Sequence, residues 1–257
     1  MRLGLIGNGA IAKAVTAYCK KNTNKITIVG SIGLDSDIKS VGSHPIFTKI
    51  DNLFDLSPDV IVECAGNNAV EKYANLILSH RIDLVIISVG ALANDHLYKE
   101  LLSSSIKYSS RFFIPTGALA GLDAIESAKV DGLKKVFLRT TKKPKAWIGA
   151  PGAKNINLDS IKNAQTIFNG TARDAARLFP KNANVAAALA LSGIGMDETN
   201  VELVADPNIE NNFHYLRAEG TFGNLEVKVD AVPSLNNPKT SHLAALSIIN
   251  QLEKLDL

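Results

Sequence analysis

The architecture of this chain follows from ten residues near its start, Leu3-Gly4-Leu5-Ile6-Gly7-Asn8-Gly9-Ala10-Ile11-Ala12. A short apolar run, typical of a buried parallel strand, is followed at once by glycines. Apolar residues at helical spacing come next, namely Ile11, Val15, Tyr18 and Cys19. This order predicts a strand, a glycine-rich turn and a helix.

The glycine-rich turn is typical of a cradle for nucleotide phosphates. Gly7 allows a tight turn, Gly9 lets a pyrophosphate approach the backbone, and Ala12 permits close packing of the helix on the strand. The phosphates would rest on the free amides at the positive end of that helix. Such turns also occur in units that bind nothing, but the position directly after the first strand favours binding. We therefore expect a dinucleotide, NAD or NADP, to contact Gly7, Asn8, Gly9, Ala10 and Ile11.

The choice between NAD and NADP depends on an acidic residue that normally lies about 20 residues beyond the turn and binds the adenosine ribose. Here Ile32 or Gly33 occupies that place, and Asp35 is the first acid. Without a carboxylate to repel a 2′-phosphate the preference stays open, and Ser31 could donate to that phosphate. Asp35 and Asp37 fit a solvated turn as well as a ribose contact.

Composition and charge exclude several classes of partner. The 257 residues are 46% hydrophobic, and a net charge of +3 on scattered lysines does not imply nucleic acid. Cys19 and Cys64 lie in apolar segments without metal-ligand spacing, which indicates free thiols, a reducing cytoplasm and no metal. Met1 leads directly into the first strand, and no apolar stretch has membrane-spanning length. We expect a cytoplasmic protein that binds no membrane.

Strand and helix patterns alternate through the first half of the chain. They cover 60–64 (strand), 70–80 (helix), 84–88 (strand) and 96–102 (helix). This alternation predicts an α/β fold with a Rossmann-type doubly wound parallel sheet. Ligands of such sheets lie outside the carboxyl ends of the strands, where we expect the loops 64–67, 88–91 and 115–118 to converge. Ala65, in the first loop, is a further candidate cofactor contact.

A second domain is indicated by longer strand patterns from Lys135 onward. They cover 135–141, 201–205, 213–221 and 225–232, and the last two meet at a turn. We expect an α+β domain with a mostly antiparallel sheet. A final helix over 240–255 has one apolar face that should pack back on the first domain. The predicted domains are 1–117 plus 236–257 for dinucleotide binding, and 118–235 for substrate binding and oligomerisation.

Six segments together carry a family resemblance: Gly7–Ala12, Ser88–Ala91, Gly117–Ala124, Phe179–Ala187, Asn212–His214 and Asn237–Ser241. In this order they resemble the L-aspartate dehydrogenases that serve NAD biosynthesis, and the resemblance covers nearly the whole chain. It implies that His214 is the active-site histidine and that Ala118 and Asn184 contact the dinucleotide. It also implies oxidation of L-aspartate to iminoaspartate with NAD or NADP, or in reverse the reductive amination of oxaloacetate.

Simpler roles compete with these at each position. Ala118 follows a predicted strand end, where a small residue lets the main chain approach a nicotinamide. The side-chain amide of Asn184 suits a carboxamide group, but a helix N-cap fits the local sequence equally. A lone histidine in an apolar strand, such as His214, is often a packed core residue. The chemistry favours catalysis, because removal of an ammonium proton needs a group whose pKa lies near neutrality.

A substrate with two carboxylates also needs cationic or amide donors. The segment Asn237-Pro238-Lys239-Thr240-Ser241 leads into a helix whose first amides point outward. Lys239, Thr240 and Ser241 are therefore candidate carboxylate contacts. The alternative is a capped helix start with an exposed lysine.

Two other functions stay open from the sequence. One is a related two-domain NAD(P)-dependent reductase for another amino acid or imine, such as a relative of homoserine dehydrogenase or dihydrodipicolinate reductase. The latter is disfavoured because the second domain has no adjacent histidine pair followed by a nearby lysine. The other is a non-catalytic dinucleotide-binding sensor. In either case we expect a homodimer or a higher homo-oligomer, since long antiparallel strands need cover on their edges and open face.

Overall fold

The structure is a computed structural model that describes residues 1–22, 25–34, 44–234 and 237–256. At residues 233, 234 and 237–240 it describes the backbone alone. Asp35 and Asp37, the candidate ribose contacts, lie outside the described residues. The chain divides into two compact units, Met1–Pro115 with Ala244–Leu257 as the first and Thr116–Leu243 as the second.

The first unit contains a six-stranded parallel sheet. Its strands, β1 to β6 in chain order, are Arg2–Ile6, Thr27–Ile32, Ile46–Phe47, Val60–Glu63, Asp83–Ile86 and Phe112–Phe113. They lie in the order β3-β2-β1-β4-β5-β6, so the sheet grows outward in both directions from β1 and β4. This is the doubly wound order, and it confirms the predicted Rossmann-type fold.

The central strands explain why this part of the sequence is continuously apolar. Every residue of β4 is buried, as is every residue of β1 after Arg2, because both faces of the sheet are covered. Glu63, the last residue of β4, is the charged exception. The helices of this part, α1 to α4, are Ala10–Lys21, Asp51–Phe54, Asn67–Ser79 and Asp95–Tyr108, with a 3₁₀ helix over Val89–Ala93.

The second unit is built on a five-stranded mixed sheet. Its strands, β7 to β11, are Leu133–Lys142, Gln165–Thr171, Asn200–Ala205, Asn212–Gly220 and Gly223–Ala231, in the order β11-β10-β7-β9-β8. Only β7 and β9 pair in parallel among these neighbours, and the other three pairings are antiparallel. The prediction of a mostly antiparallel second sheet is therefore confirmed.

Helices and a small hairpin complete this unit. The helices α5 to α7 are Leu122–Asp131, Ala172–Leu178 and Asn184–Ser192. Three 3₁₀ helices cover Pro144–Trp147, Pro151–Ala153 and Leu158–Ser160. The backbone of β12 (Pro233–Ser234) pairs antiparallel with that of β13 (Asn237–Ser241).

The last helix, α8 (His242–Leu255), returns to the first unit. Ile248 and Leu252 are fully buried in the core cluster that contains Leu3, Leu5 and Val15. This confirms that the tail packs on the first domain. The helix begins two residues later than the sequence predicted, because the preceding residues form β13. Within the described ranges, no helix combines the length and apolarity that crossing a bilayer requires.

We expect Leu252→Ala to lower the free energy of unfolding by about 2 to 5 kcal/mol, because the substitution leaves a cavity in this core. Leu246→Ala is the matched control, since Leu246 lies on the same helix with 44% of its surface exposed. We expect that control to change stability by about 0.5 kcal/mol or less. Urea denaturation of both variants measures the difference. Equal losses would contradict the placement of α8 in the core.

Candidate functional site

The glycine turn between β1 and α1 admits no side chain at Gly7. Gly7 has φ +108°, and a Cβ there would lie 2.9 Å from the carbonyl oxygen of Cys64. The amide of Gly7 donates to the carbonyl of Ile32 at 2.8 Å, which ties the turn to the end of β2. Glycine is therefore required for the close approach of β1 to the loop after β4.

Gly9 has a different role, because the space beside it is open. No heavy atom of the described residues lies within 4 Å of the position that a Cβ on Gly9 would take. Gly9 is the N-cap residue of α1, and no side chain caps that end of the helix. The helix therefore presents its amides and the positive end of its dipole beside an open space, as anion binding requires.

A groove of about 480 Å³ follows this turn within the first unit. It brings together the predicted contacts Gly7, Asn8, Gly9 and Ala65, whereas Ala10 and Ile11 form the first turn of α1. Its wall also contains Ile32 and Gly33, from the place expected for the ribose contact, and Cys64, from the loop 64–67. Sequence reasoning missed Ile6, Leu34, Ala69 and Tyr73. The predicted phosphate contact Ser31 does not line it: its side chain is buried, and its hydroxyl has no hydrogen-bond partner among the described residues.

The structure embeds His214 in the second unit, in β10, which lies between β11 and β7 in the sheet. It lies in β10 opposite Thr140 of β7, and its Nδ1 is 3.0 Å from the Thr140 hydroxyl. Only 2% of its surface is exposed. Burial, and then the positive charge of Lys142, lower the pKa of His214 to about 3. The imidazole is therefore neutral, with a pKa well below the near-neutral value that the chemical argument from sequence assumed.

Lys142, the last residue of β7, provides a cation near His214. Its side chain is buried, and its Nζ donates to Oδ1 of Asn182 at 3.0 Å. Burial lowers its pKa to about 8, so the amine is still mostly protonated at neutral pH. No carboxylate of the described residues lies within ion-pair distance of it. A buried ammonium without a counter-ion can bind an anion.

Aromatic residues line one side of the space around this ammonium. The Trp147 ring lies 5.8 Å from Lys142 Nζ and packs edge-on against Phe179. Trp147 is fully buried, and its indole nitrogen has no acceptor among the described residues. The side-chain amide of Asn182 donates weakly to the Ala146 carbonyl at 3.4 Å, which links the lysine to the same segment. These rings are fully buried and apolar, so the low dielectric beside them strengthens the field of the ammonium.

The other predicted residues of this unit occupy distinct positions. Ala118 is buried in a turn in which the Leu119 amide donates to the Thr116 carbonyl at 3.2 Å. Asn184 is the first residue of α7, and the N-cap position belongs to Ala183, so the N-cap interpretation of Asn184 is wrong.

The candidate carboxylate contacts lie in β13, which leads directly into α8. The side chains of Lys239 and Thr240 lie outside the description, so their direction stays a prediction. Ser241 is buried, and its hydroxyl oxygen accepts the amide of Leu243 at 3.1 Å. Ser241 therefore caps α8, and its hydroxyl hydrogen can still be donated to another group.

Lys142, Asn182 and Glu63 were not identified from sequence. Lys142 opens the run Lys142-Lys143-Pro144-Lys145, which resembles a solvated charge cluster. Two of these residues carried a signal: Lys142 directly continues an apolar strand pattern, and Glu63 is an acid at the end of another such pattern.

A glycine turn at the carboxyl edge of a doubly wound sheet, with a separate unit that holds a buried histidine and lysine, defines a two-domain nicotinamide-nucleotide oxidoreductase. Residues 7–115 match the family described as homoserine dehydrogenase, NAD binding domain, and residues 123–255 match aspartate dehydrogenase, C-terminal. The chain belongs to the aspartate dehydrogenase family. The NAD-binding match also confirms the expected cofactor, NAD or NADP.

Similar proteins cover the whole chain. An L-aspartate dehydrogenase of Acinetobacter baylyi is 39% identical over 96% of this chain and 95% of its own length. One from Cupriavidus necator is 36% identical over 98% of this chain and 96% of its own. The crystal structure of aspartate dehydrogenase from Thermotoga maritima is 28% identical, covers 100% of this chain and 97% of that one, and has a TM-score of 0.77.

The two glycines of the turn should respond differently to an added methyl group. We expect Gly9→Ala to weaken dinucleotide binding about tenfold or more with little loss of stability, because its Cβ enters the open space. Gly7→Ala should lower the unfolding free energy by about 1 to 3 kcal/mol, because the methyl group meets the Cys64 backbone at an unfavourable φ. Dissociation constants from calorimetry and urea denaturation distinguish the two effects. Equal losses of stability in both variants would contradict this geometry.

The lowered pKa of His214 predicts a pH dependence of stability. The unfolded imidazole takes up a proton near pH 6.5, whereas the folded one stays neutral down to about pH 3. The contribution of the neutral His214 to the free energy of unfolding is therefore fully present above pH 6.5. This contribution is lost as the pH falls towards 3, by up to about 1.4 kcal/mol per pH unit. Between pH 6.5 and 5.0 we expect wild type to lose about 1.5 kcal/mol more unfolding free energy than His214→Asn.

Urea denaturation at these two pH values tests this expectation. His242→Asn is the control for the change of histidine to asparagine, because His242 is exposed. If wild type and His214→Asn show the same pH dependence, His214 is not held neutral by the fold.

Proposed function

We propose that the chain is an L-aspartate dehydrogenase that oxidises L-aspartate to iminoaspartate with NAD or NADP and feeds NAD biosynthesis. In reverse it would reductively aminate oxaloacetate. The observation that carries the proposal is the buried Lys142 ammonium near a neutral His214, without a carboxylate partner among the described residues. The names of the full-length relatives support the same substrate.

Lys142 would bind one carboxylate of the substrate. A carboxylate near its Nζ would replace the missing counter-ion and accept the hydrogen bonds that Asn182 leaves unused. A monocarboxylate could supply this contact as well, so preference for aspartate needs a second set of donors. Lys239, Thr240 and Ser241 stay our prediction for the second carboxylate.

His214 would act as the base that removes a proton from the substrate ammonium group. When Nδ1 donates to the Thr140 hydroxyl, the lone pair of Nε2 is left to accept that proton. A pKa of about 3 makes the free imidazole a weak base. The negative charge of a bound dicarboxylate offsets the field of Lys142 and so raises the pKa of His214 towards the range that proton transfer needs. Substrate binding and activation of the base are thus linked.

NAD or NADP would accept the hydride from the α carbon of the substrate. We assign its binding to Gly7, Asn8, Gly9, Ala10, Ile11 and Ala65. Ala118 and Asn184 are our proposed contacts to its nicotinamide end. Residues 1–117 with 236–257 would thus form the dinucleotide domain, and residues 118–235 the domain for substrate and for assembly into a homodimer or higher oligomer in the cytoplasm.

Reduced-nicotinamide absorbance tests the function directly. Purified protein is mixed with L-aspartate and either NAD or NADP, with D-aspartate, L-glutamate and L-homoserine as controls. We expect a signal with L-aspartate alone. A signal only with L-homoserine or L-glutamate would identify a related dehydrogenase, and dinucleotide binding without any turnover would favour a sensor.

Two variants test the residue roles in the same assay. We expect His214→Asn to lower kcat by about 10²- to 10⁴-fold with an unchanged dissociation constant for the dinucleotide. Lys142→Met should raise KM for L-aspartate at least about tenfold, as the loss of a charged hydrogen bond implies. Lys145→Met is the matched control, since Lys145 is exposed in the same lysine run. Equal effects of both lysine variants on KM would contradict the role of Lys142.

A further inference from the structure

Glu63 is a buried acid that the proposed chemistry does not use. It ends β4 with 1% of its surface exposed, and it pairs in register with Ile6 of β1 and Ile86 of β5. It therefore lies at the carboxyl edge of the sheet, where the loops after these three strands begin. Burying a charge there costs free energy unless the surroundings provide hydrogen bonds.

Four donors meet the Glu63 carboxylate. Its Oε1 accepts the amides of Ala65 and Gly66, both at 2.8 Å, and the Ser88 hydroxyl at 3.0 Å. Its Oε2 accepts the amide of Ser88 at 3.1 Å. Burial raises the pKa of Glu63, and these bonds oppose that effect. Three of the donors are backbone amides, which can only donate, so the ionised carboxylate is the form that suits all four.

These bonds connect two loops that are distant in sequence. Ala65 and Gly66 lead from β4 into α3, and Gly66 adopts φ +127° at the N-cap of that helix. Ser88 leads from β5 into the 3₁₀ helix Val89–Ala93 as its N-cap residue. One side chain therefore fixes the start of both connections at the carboxyl edge.

The first of these loops also contacts the glycine turn. The space beside Gly7 is filled by the Cys64 carbonyl and by the Ala65 Cα, which lies 3.1 Å from the position of a Cβ. Cys64 and Ala65 line the same groove as Gly7 and Gly9. A shift of the loop would therefore change the shape of the groove next to the phosphate-binding turn.

We propose that Glu63 is a positioning residue for dinucleotide binding: its carboxylate holds the Cys64–Gly66 loop and Ser88 in place and so preforms the groove beside Gly7. The inference rests on the assignment of this groove to NAD or NADP under the proposed function. Glu63 acts through the backbone amides of the loops and is assigned no contact with the substrate.

Glu63→Gln tests this with minimal change of volume. The amide group keeps one acceptor oxygen but brings an NH₂ group against at least one N–H donor, so the four bonds cannot all form. We expect the dissociation constants for NAD and NADP, measured by calorimetry, to rise about tenfold or more. Ser88→Ala removes only the hydroxyl bond and should raise them about two- to fivefold. In kinetics, KM for the dinucleotide should rise while KM for L-aspartate stays within about twofold.

Asp59→Asn is the matched control, at the opposite end of the same sheet. There a carboxylate oxygen of Asp59 accepts the backbone amide of Arg2 at 2.6 Å. We expect this variant to lose stability in urea denaturation while its dissociation constants stay within about twofold of wild type. If Glu63→Gln lowers stability but leaves dinucleotide binding unchanged, Glu63 is only structural and the proposal is overturned.

The outcomes separate this proposal from the proposed function. Wild-type protein that binds dinucleotide but does not oxidise L-aspartate contradicts the function, whereas a tenfold difference between Glu63→Gln and Asp59→Asn still supports the positioning role. Wild-type protein that binds neither dinucleotide overturns the positioning role. If Glu63→Gln does not fold, the comparison of Ser88→Ala with Asp59→Asn decides in the same way.

Discussion

The contact between the backbone of Gly7 and the backbone of Cys64 and Ala65 is the constraint on which the first unit depends. Strands β1 and β4 are neighbours at the point where the sheet order reverses direction. From this point the chain continues after β1 towards one edge of the sheet and after β4 towards the other. A crevice opens at such a point in every doubly wound sheet. In this chain the two connections touch without an intervening side chain, so the crevice is a narrow groove beside the N terminus of α1.

Each unit also contains a buried charge without an opposite charge beside it among the described residues, namely Glu63 in the first and Lys142 in the second. Hydrogen bonds compensate these two charges to different extents. Glu63 receives four hydrogen bonds, three of them from backbone amides of the loops after β4 and β5. Lys142 has three donor hydrogens, but Asn182 is the one hydrogen-bond acceptor the described residues give it. A fully bonded charge stabilises an arrangement of loops, whereas an incompletely bonded one gains free energy when an anion arrives. This difference separates the positioning of loops that we propose for Glu63 from the anion binding that we propose for Lys142.

The sequence was informative wherever a pattern was local. The run 3–12 predicted β1, its turn and α1, and the apolar spacing of the last helix predicted its packing through Ile248 and Leu252. Patterns failed where the partner is distant in the chain. Glu63 accepts hydrogen bonds from Ser88, and Lys142 donates one to Asn182, which lies 40 residues further along the chain. Asn182 and Asn184 are two residues apart in one motif, and only the folded structure shows that Asn182 accepts a hydrogen bond from the lysine.

The same contrast between local patterns and distant partners applies to His214. The sequence identified this residue, but the structure changes the chemical reason for choosing it. Removal of an ammonium proton requires a group that titrates near neutrality, but the strand that presents His214 also desolvates it and places it within the field of Lys142. Both effects disfavour the imidazolium form, so two adjacent cations are avoided in the free protein. An anionic ligand at Lys142 weakens the second effect and leaves the first unchanged. In the proposed mechanism the basicity of His214 would therefore depend on the charge of what is bound near it, which would tie proton removal to ligands that carry a carboxylate.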